Sequence, residues 1–365
     1  MGSDNIPERM LAAQVTEYNK PYTIHEIAVP KNLDPQDILV KVAVASLCHT
    51  DNMVIAGQFF TQLPCTASHE GSGTVVLTGS EVKNFKPGDR VMCAIPYHQC
   101  GICNDCQSAS AQYCAKQSLT GVKRDGCFAE YVVVDGRTSI KLPDRVSFET
   151  AAPMACAGLT IFRGVLQSEC HAGEWMGIVG AGGSLGHLGI QFAKAMGIMV
   201  VGVDARDEGL ALAKETGADI VVDARKGAEQ VVKEVEAVTG GEGCKSTLMV
   251  SDADGAVALG CKITRMHGTL VQIAQPETIS IPFHEVVFRD IKIHGSLMSS
   301  VAEATRMLDV VAEHGVSVEK NVFHGLHEIP KLMDLAHGGK MKGKGMIVVD
   351  QEQIDRQNSQ GLKLS

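Results

Sequence analysis

The chain has 365 residues, of which 45% are hydrophobic and 21% are charged, and its formal net charge at pH 7 is −9. This length exceeds the usual size of a single hydrophobic core, so two domains are expected. The chain is acidic overall and has no Lys/Arg block, which argues against the basic surface by which proteins bind nucleic acids and anionic membranes. We therefore expect neither of them as a partner.

The N-terminal segment and the lengths of the apolar runs predict a cytoplasmic protein. The start, MGSDNIPERM, has neither the basic nor the apolar segment of a secretory signal. No uninterrupted apolar run approaches the ~20 residues that span a bilayer. Because the cytosol keeps thiols reduced, the 12 cysteines must be explained without disulfides.

The first part of the chain is predicted to be mostly β. Its β-branched or alternating segments are separated by Gly, Pro and Asp, which are typical of turns. The predicted strands cover residues 37–46, 71–79, 89–95 and 129–134.

From residue 174 onward, strands and helices alternate. The segment 184–197 carries apolar residues at helical spacing and is the first predicted helix. Further helices are predicted over 207–217, 228–238 and 254–262, and strands over 175–180, 198–204, 219–223, 246–251 and 268–274. This alternation predicts a parallel sheet that is covered on both faces.

The last part of the chain is predicted to contain a helix, a strand and a tail. An amphipathic pattern indicates the helix over 300–314, and GKGMIVVD indicates a strand over 343–350. The remaining residues, 351–365, are polar. We expect this tail to pack poorly because it has little apolar surface to bury.

Four cysteines lie close together with the spacing C-x2-C-x2-C-x7-C: Cys100, Cys103, Cys106 and Cys114. Four thiolates complete the tetrahedral shell of a zinc ion and leave no position for substrate, so such a site is structural. Iron–sulfur ligation and unligated thiols are the alternatives, whereas a redox pair needs only two cysteines. We call residues 97–116 the four-cysteine lobe.

A second set of metal-binding residues is spread along the chain. Cys48, His69 and Cys156 are each weak signals when taken singly. Together, two thiolates and one imidazole form a three-ligand zinc site whose fourth position stays open. A catalytic metal requires such an opening.

These motifs, together with CHTD, HEGSG, CAGLT and GAGGSLGHLGIQFAKAMG, resemble the zinc-dependent alcohol dehydrogenases of the medium-chain dehydrogenase/reductase superfamily, most closely the yeast-like fungal branch. The resemblance implies an α/β protein with a GroES-like, mostly β catalytic domain over 1–158. A Rossmann-type doubly wound parallel sheet would form the coenzyme domain over 159–298. Residues 299–365 would return to the catalytic domain.

The resemblance also implies two zinc ions per subunit. The catalytic ion would be held by Cys48, His69 and Cys156, and the structural ion by the four-cysteine lobe. Glu70 would lie near the catalytic metal, and Asp51 would orient the imidazole of His69. Such outer partners usually tune a metal site.

A glycine-rich turn between a strand and a helix predicts a dinucleotide site, because its backbone N–H groups can meet a pyrophosphate. The segment VGAGGSLG is one residue longer than G-x-G-x-x-G, with Leu185 where the third glycine is expected. By resemblance, His49 also touches the pyrophosphate. The predicted coenzyme residues are His49, Gly180, Gly182, Gly183, Ser184, Leu185, Gly186, Asp204 and Arg206.

Asp204 ends the strand that follows the glycine-rich helix. A carboxylate there accepts hydrogen bonds from the ribose hydroxyls and repels a 2′-phosphate, which predicts NAD rather than NADP. Arg206, two residues later, is a residue type that accommodates a 2′-phosphate.

The resemblance assigns Thr50 the role of accepting the alcohol proton. The family's relay often continues to a histidine at the position of Met53. An arginine that contacts the pyrophosphate is replaced by Met346, with Lys344 close by. Because Met53 stands where the relay histidine is expected, we expect a broken or rerouted proton exit.

The predicted substrate wall departs from the ethanol-specialised pattern. Phe59 lies near one family tryptophan and Ile95 where a second is common, and Leu297 and Met298 complete the wall. We expect reversible oxidation of a primary or secondary alcohol larger than ethanol to its aldehyde or ketone.

Other activities and assemblies remain open. A carbonyl reductase of a fungal biosynthetic pathway is the first alternative, a zinc-free quinone reductase of the same superfamily is disfavoured by the metal ligands, and a non-catalytic zinc protein that binds NAD is a third. Relatives are often dimers or tetramers, and residues 291–298 resemble their interface strand. The remaining cysteines are expected to pack as free thiols.

Overall fold

The computed structural model describes residues 6–108, 110–339 and 341–360. Two compact units divide the chain: the described parts of 1–156 and 300–365 form the first, and Ala157–Ser299 forms the second. Residues 1–5, at the start of the N-terminal segment, and residues 361–365, at the end of the polar tail, lie outside the described residues. Within the described ranges, no helix has both the length and the apolarity to cross a bilayer.

The strands of the described residues follow in chain order. They are β1 (Arg9–Val15), β2 (Thr23–Ala28), β3 (Asp37–Ser46), β4 (Cys65–Thr66), β5 (Glu70–Thr78), β6 (Arg90–Met92), β7 (Pro96–Tyr97), β8 (Ser118–Leu119), β9 (Tyr131–Asp135), β10 (Ile140–Lys141), β11 (Trp175–Val179), β12 (Met199–Asp204), β13 (Ile220–Asp223), β14 (Cys244–Met249), β15 (Thr264–Gln272), β16 (Lys292–Gly295), β17 (Lys320–His324) and β18 (Lys344–Val348).

The α-helices are numbered in the same way. They are α1 (His49–Ile55), α2 (Asn104–Gln107), α3 (Phe148–Pro153), α4 (Leu159–Gln167), α5 (Gly186–Ala195), α6 (Asp207–Glu215), α7 (Ala228–Val238), α8 (Ala256–Ile263), α9 (Phe283–Val287), α10 (Val301–His314), α11 (Ile329–His337) and α12 (Gln351–Ser359).

The first unit is built around the long strand β3. Its largest sheet has the order β10-β6-β5-β3-β18-β17, and β9 also pairs with β3. Nine of the ten β3 side chains are buried, which explains why the strand is apolar along almost its whole length. In the register of this sheet, Ser46 lies opposite Glu70 on one side and opposite Met346 on the other. The end of β3, which precedes Cys48, and the start of β5, which follows His69, are therefore neighbours.

The second unit contains a sheet of six parallel strands, as predicted. Its order is β13-β12-β11-β14-β15-β16, which is 3-2-1-4-5-6 when the strands of this unit are counted from its start. This is the order of doubly wound dinucleotide-binding folds, in which the ligand crevice lies where the strand order reverses. The glycine-rich turn follows β11, which lies at the point where the strand order reverses.

The prediction that the polar tail packs poorly is wrong for residues 351–360. Residues Gln351–Ser359 form α12, in which Ile354 and Gln357 are buried. The Gln357 side-chain oxygen accepts hydrogen bonds from the Phe148 backbone N–H at 2.8 Å and from Arg90 Nη2 at 3.0 Å. Buried amide hydrogen bonds stabilise this helix where apolar area is small, and composition alone does not reveal such bonds.

Replacing the buried amide of α12 tests this correction. Gln357→Ala leaves the Phe148 N–H and Arg90 without their acceptor, so we expect the free energy of unfolding to fall by about 1–3 kcal/mol. Urea unfolding followed by circular dichroism measures the change. The exposed Asn358 on the same helix is the control, and Asn358→Ala should stay within about 0.5 kcal/mol of the parent protein. Equal effects of the two substitutions would show that α12 does not pack as described.

Candidate active site

Four potential metal ligands meet in the first unit: Cys48, His69, Glu70 and Cys156. One ligand atom from each lies within 4.8 Å of all the others. The Cys48 and Cys156 sulfurs are 4.0 Å apart. Two thiolates on a tetrahedral zinc ion, each at about 2.3 Å, are about 3.8 Å apart. The donor chemistry and this spacing fit zinc.

One buried carboxylate joins the two segments that carry Cys48 and His69. Cys48 is the N-cap of α1, and its backbone N–H donates to Asp51 Oδ2 at 2.8 Å. The Ser68 backbone N–H donates to Asp51 Oδ1 at 3.0 Å. Asp51 Oδ1 lies 3.8 Å from His69 Nδ1, which is beyond hydrogen-bond distance. Among the described residues, His69 Nδ1 has no hydrogen-bond partner.

Cys156 lies in a π-helical turn, Met154–Gly158, between α3 and α4. A π-helical turn contains one residue more than the matching α-helical turn, and such turns are frequent at functional sites. Here the turn accompanies a cysteine whose sulfur reaches that of Cys48 from 108 residues away in the chain. Sequence periodicity gave no signal of this turn.

Glu70 has a cationic partner that was not predicted from the sequence. Lys344 Nζ lies 2.7 Å from Glu70 Oε2 and 2.9 Å from Oε1, and the Ser46 hydroxyl donates to Oε2. Both charged side chains are almost completely buried, at 1% and 0% exposure. Burial raises the pKa of Glu70 to about 7, and Lys344 opposes this shift. The sequence feature that could have indicated this pair is Lys344 itself, a lysine in the largely apolar strand predicted over 343–350.

α1 carries the predicted proton acceptor Thr50, the predicted pyrophosphate contact His49, and Met53, which stands at the position of the relay histidine. Thr50 Oγ1 is 3.9 Å from Cys48 Sγ, so its hydroxyl borders the metal-ligand cluster. His49 is exposed at the first residue of α1, and Met53 is half-buried one turn further along.

The cysteines of the four-cysteine lobe also converge. Their sulfurs all lie within 4.8 Å of one another, and those of Cys100 and Cys106 are 3.9 Å apart. This distance again fits the edge of a zinc tetrahedron, about 3.8 Å. Ala109, within the lobe, lies outside the described residues. The other cysteines outside the two clusters are free thiols and are buried except for Cys170: Cys65, Cys93, Cys127, Cys170, Cys244 and Cys261.

The glycine-rich turn of the second unit leaves no room for side chains at two positions. A Cβ on Gly182 would lie 2.0 Å from the Gly209 carbonyl oxygen, and one on Gly186 would lie 2.3 Å from the Gly180 oxygen. Gly180 itself has φ +91°, which favours glycine. The three remaining predicted residues lie in the same turn, before α5: Gly183, Ser184 and Leu185.

Asp204 is fixed by the backbone around it. Its carboxylate accepts hydrogen bonds from the N–H groups of Gly182 at 2.9 Å, Ala205 at 2.9 Å and Arg206 at 3.1 Å. The Arg206 side chain lies over the same groups, with Nε 3.6 Å from Asp204 Oδ1 and Nη2 3.4 Å from the Gly182 oxygen. The structure therefore brings together Gly182, Asp204 and Arg206.

The four predicted pocket residues are divided between the units. Phe59 is half-buried against the core of the first unit, and Ile95 of the same unit is buried. Leu297 is half-buried and Met298 buried in the second unit.

Comparison with known proteins identifies the family. Residues 34–144 match the family described as the alcohol dehydrogenase GroES-like domain, and residues 184–313 match the zinc-binding dehydrogenase family. An alcohol dehydrogenase of Geobacillus stearothermophilus is 35% identical over 93% of this chain and 100% of its own length. One from Schizosaccharomyces pombe is 32% identical over 94% and 99%.

A solved structure agrees with these relatives. The alcohol dehydrogenase from the archaeon Aeropyrum pernix superimposes with a TM-score of 0.84 at 29% identity, over 93% of this chain and 99% of that one. The chain therefore belongs to the zinc-binding alcohol dehydrogenase family, and the predicted combination of a GroES-like domain with a Rossmann-type domain is confirmed.

Proposed function

We propose that the protein is an NAD-dependent alcohol dehydrogenase with one catalytic and one structural zinc ion. Its reaction is reversible hydride transfer between NAD and a primary or secondary alcohol larger than ethanol, giving an aldehyde or ketone. The observation that carries this proposal is the cluster of Cys48, His69 and Cys156, whose sulfur spacing and donor types fit a three-ligand zinc site. We further assign the protein to the fungal, yeast-like branch and to the cytoplasm.

The roles of the residues follow from this assignment. When bound, zinc would supply a Lewis acid for the alcohol or carbonyl oxygen, and NAD would supply the hydride acceptor. Cys48, His69 and Cys156 would hold the metal. Thr50, whose hydroxyl borders the cluster, takes the alcohol proton. Asp51 keeps the Cys48 and His69 segments in register through its two backbone hydrogen bonds.

The glycine-rich turn and Asp204 form the coenzyme half of the proposal. The turn would let the coenzyme pyrophosphate approach backbone N–H groups, and the Asp204 carboxylate would accept hydrogen bonds from the ribose hydroxyls. Asp204 supports a preference for NAD, whereas Arg206, which lies beside it, supports some use of NADP. His49 is proposed to contact the pyrophosphate.

A panel of alcohols and carbonyls, each assayed with NAD and with NADP, tests the function. We expect NADH formation that depends on the alcohol, with kcat/KM higher for longer, aromatic or secondary alcohols than for ethanol. A series highest at ethanol would reject the proposed preference for alcohols larger than ethanol. Turnover confined to the carbonyl direction would favour the reductase, and no turnover of any compound would favour the non-catalytic protein.

The missing relay histidine gives a separate prediction. Because an imidazole titrates near neutral pH, Met53→His should restore a proton acceptor and raise kcat for alcohol oxidation at pH 7 by roughly tenfold. The gain should shrink at higher pH, where hydroxide assists. Met53→Gln is the matched control, since glutamine is polar but does not titrate. Identical pH profiles of kcat for the two variants would contradict this role.

We also propose that the protein is a homo-oligomer, either a dimer or a tetramer. β16 lies at the edge of the parallel sheet, where a second copy could add strands. Just before it in the chain, Phe283 and Phe288 are 71% and 65% exposed. Light scattering on the purified protein distinguishes these assemblies from a monomer, which would contradict the proposal.

A further inference from the structure

The pairing of three strands places Lys344 on the same sheet face as Glu70. In the antiparallel register, Glu70 of β5 lies opposite Ser46 of β3, and Ser46 lies opposite Met346 of β18. Directly opposed residues point to the same face of a sheet, and so do residues two apart on one strand. Lys344, two residues before Met346, therefore shares this face, and its side chain extends across β3 to Glu70.

Glu70 is itself able to bind the catalytic metal. A carboxylate oxygen of Glu70 lies within 4.8 Å of ligand atoms of Cys48, His69 and Cys156. Carboxylates are ordinary zinc ligands, so Glu70 is a candidate for the fourth position. Occupation of that position by protein would exclude substrate. If the fourth position is to accept substrate, the Glu70 carboxylate must therefore bind other groups.

Lys344 and Ser46 provide that alternative. Both Glu70 oxygens lie within 3 Å of Lys344 Nζ, and one also accepts from the Ser46 hydroxyl. With two thiolates, the Glu70 carboxylate and a zinc ion, the cluster would carry one net negative charge, and the Lys344 ammonium neutralises it. A buried carboxylate without this cation would gain much from coordinating the metal, because uncompensated buried charge is strongly unfavourable.

We propose that Lys344 is a positioning residue that holds Glu70 away from the fourth coordination position of the catalytic zinc and so keeps that position open. This inference rests on the proposed function. A merely structural ion pair would stabilise the fold without affecting access to the metal. The two roles differ in how a small external ligand binds to the metal.

Ligand binding to the cobalt-substituted protein tests the proposal without an activity assay. The full chain is prepared with Co²⁺ in the catalytic site, and imidazole is titrated while the visible cobalt absorption is followed. In Lys344→Met, Glu70 should turn to the metal and weaken imidazole binding by about 10- to 100-fold, the range seen for outer partners of metal ligands. Adding Glu70→Gln to that variant should restore the affinity to within about threefold, since an amide is a poorer ligand than a carboxylate.

The chain offers a matched control and a milder variant. Lys41 also pairs with a carboxylate, with Nζ 2.7 Å from Asp350 Oδ2, and Lys41→Met should leave imidazole binding unchanged. Lys344→Gln keeps a hydrogen-bond donor but removes the charge, and it decides the question if Lys344→Met does not fold. It should bind imidazole about tenfold more weakly than the parent protein, within the same range.

The outcomes separate this inference from the proposed function. Parent-like imidazole affinity in every folded Lys344 variant would overturn the role of Lys344 and leave the dehydrogenase proposal intact. Failure of the parent protein to bind cobalt at Cys48, His69 and Cys156, or failure of imidazole to alter its spectrum, would instead reject the proposed metal site.

Discussion

His69→Ala should reduce kcat/KM for alcohol oxidation by at least about a thousandfold. The substitution removes the imidazole and leaves the two thiolates, with Glu70 nearby, to bind the metal. A metal that polarises the substrate oxygen lowers the activation free energy by several kcal/mol, and this stabilisation would be lost with the metal. Since each 1.36 kcal/mol is a factor of ten in rate, three decades correspond to about 4 kcal/mol. Steady-state kinetics with the best alcohol of the panel measures the loss.

The control for this variant addresses folding. His69 is buried and immediately precedes β5, so circular dichroism and thermal unfolding must show that the variant keeps the parent fold. His171, which is 84% exposed and remote in sequence, provides a matched substitution, and His171→Ala should keep parent kinetics. Parent-like kcat/KM in folded, zinc-depleted His69→Ala would reject the catalytic site.

Cys106→Ser should lower the melting temperature of the protein by roughly 10 °C, as expected for a loss of about 3–4 kcal/mol in a unit of this size. The four-cysteine lobe has little core of its own: Ile102 is 76% exposed and Tyr113 43% exposed. Without apolar burial, the bound metal is the main source of folding free energy for the lobe. Differential scanning calorimetry measures the shift.

Limited proteolysis adds a local readout for the same variant. New cleavage should appear within residues 97–116, because a lobe without its metal no longer holds a fixed conformation. Cys170→Ser, at a partly exposed cysteine outside both clusters, should shift the melting temperature by less than about 2 °C. Equal shifts of the two variants, with no new cleavage, would contradict a metal-held lobe.

Local periodicity made most of the second unit predictable. The helix predicted over 184–197 corresponds to α5, and the strand predicted over 198–204 corresponds to β12. Here the sheet is parallel and its strands are nearly continuous apolar runs, so local pattern and tertiary burial agree. The same agreement made β3 predictable over its whole length.

Features that depend on long-range pairing were missed. Lys344 and Glu70 are 274 residues apart in the chain, and only the register of β5, β3 and β18 brings them together. Likewise, the burial of Gln357 depends on groups near Phe148 that no local pattern connects with α12. The metal ligands could be proposed because sulfur and imidazole are typical zinc donors and because CHTD, HEGSG and CAGLT resemble motifs of a known family, whereas a lysine or a glutamine can serve many roles.

The most direct test of the central claim is the zinc content of the freshly purified protein, determined by elemental analysis for the parent chain and for His69→Ala. We predict two zinc ions per chain for the parent and one for the variant, since the four-cysteine lobe keeps its own ion. One zinc ion or none in the parent chain, or two in His69→Ala, would contradict a catalytic metal held by Cys48, His69 and Cys156.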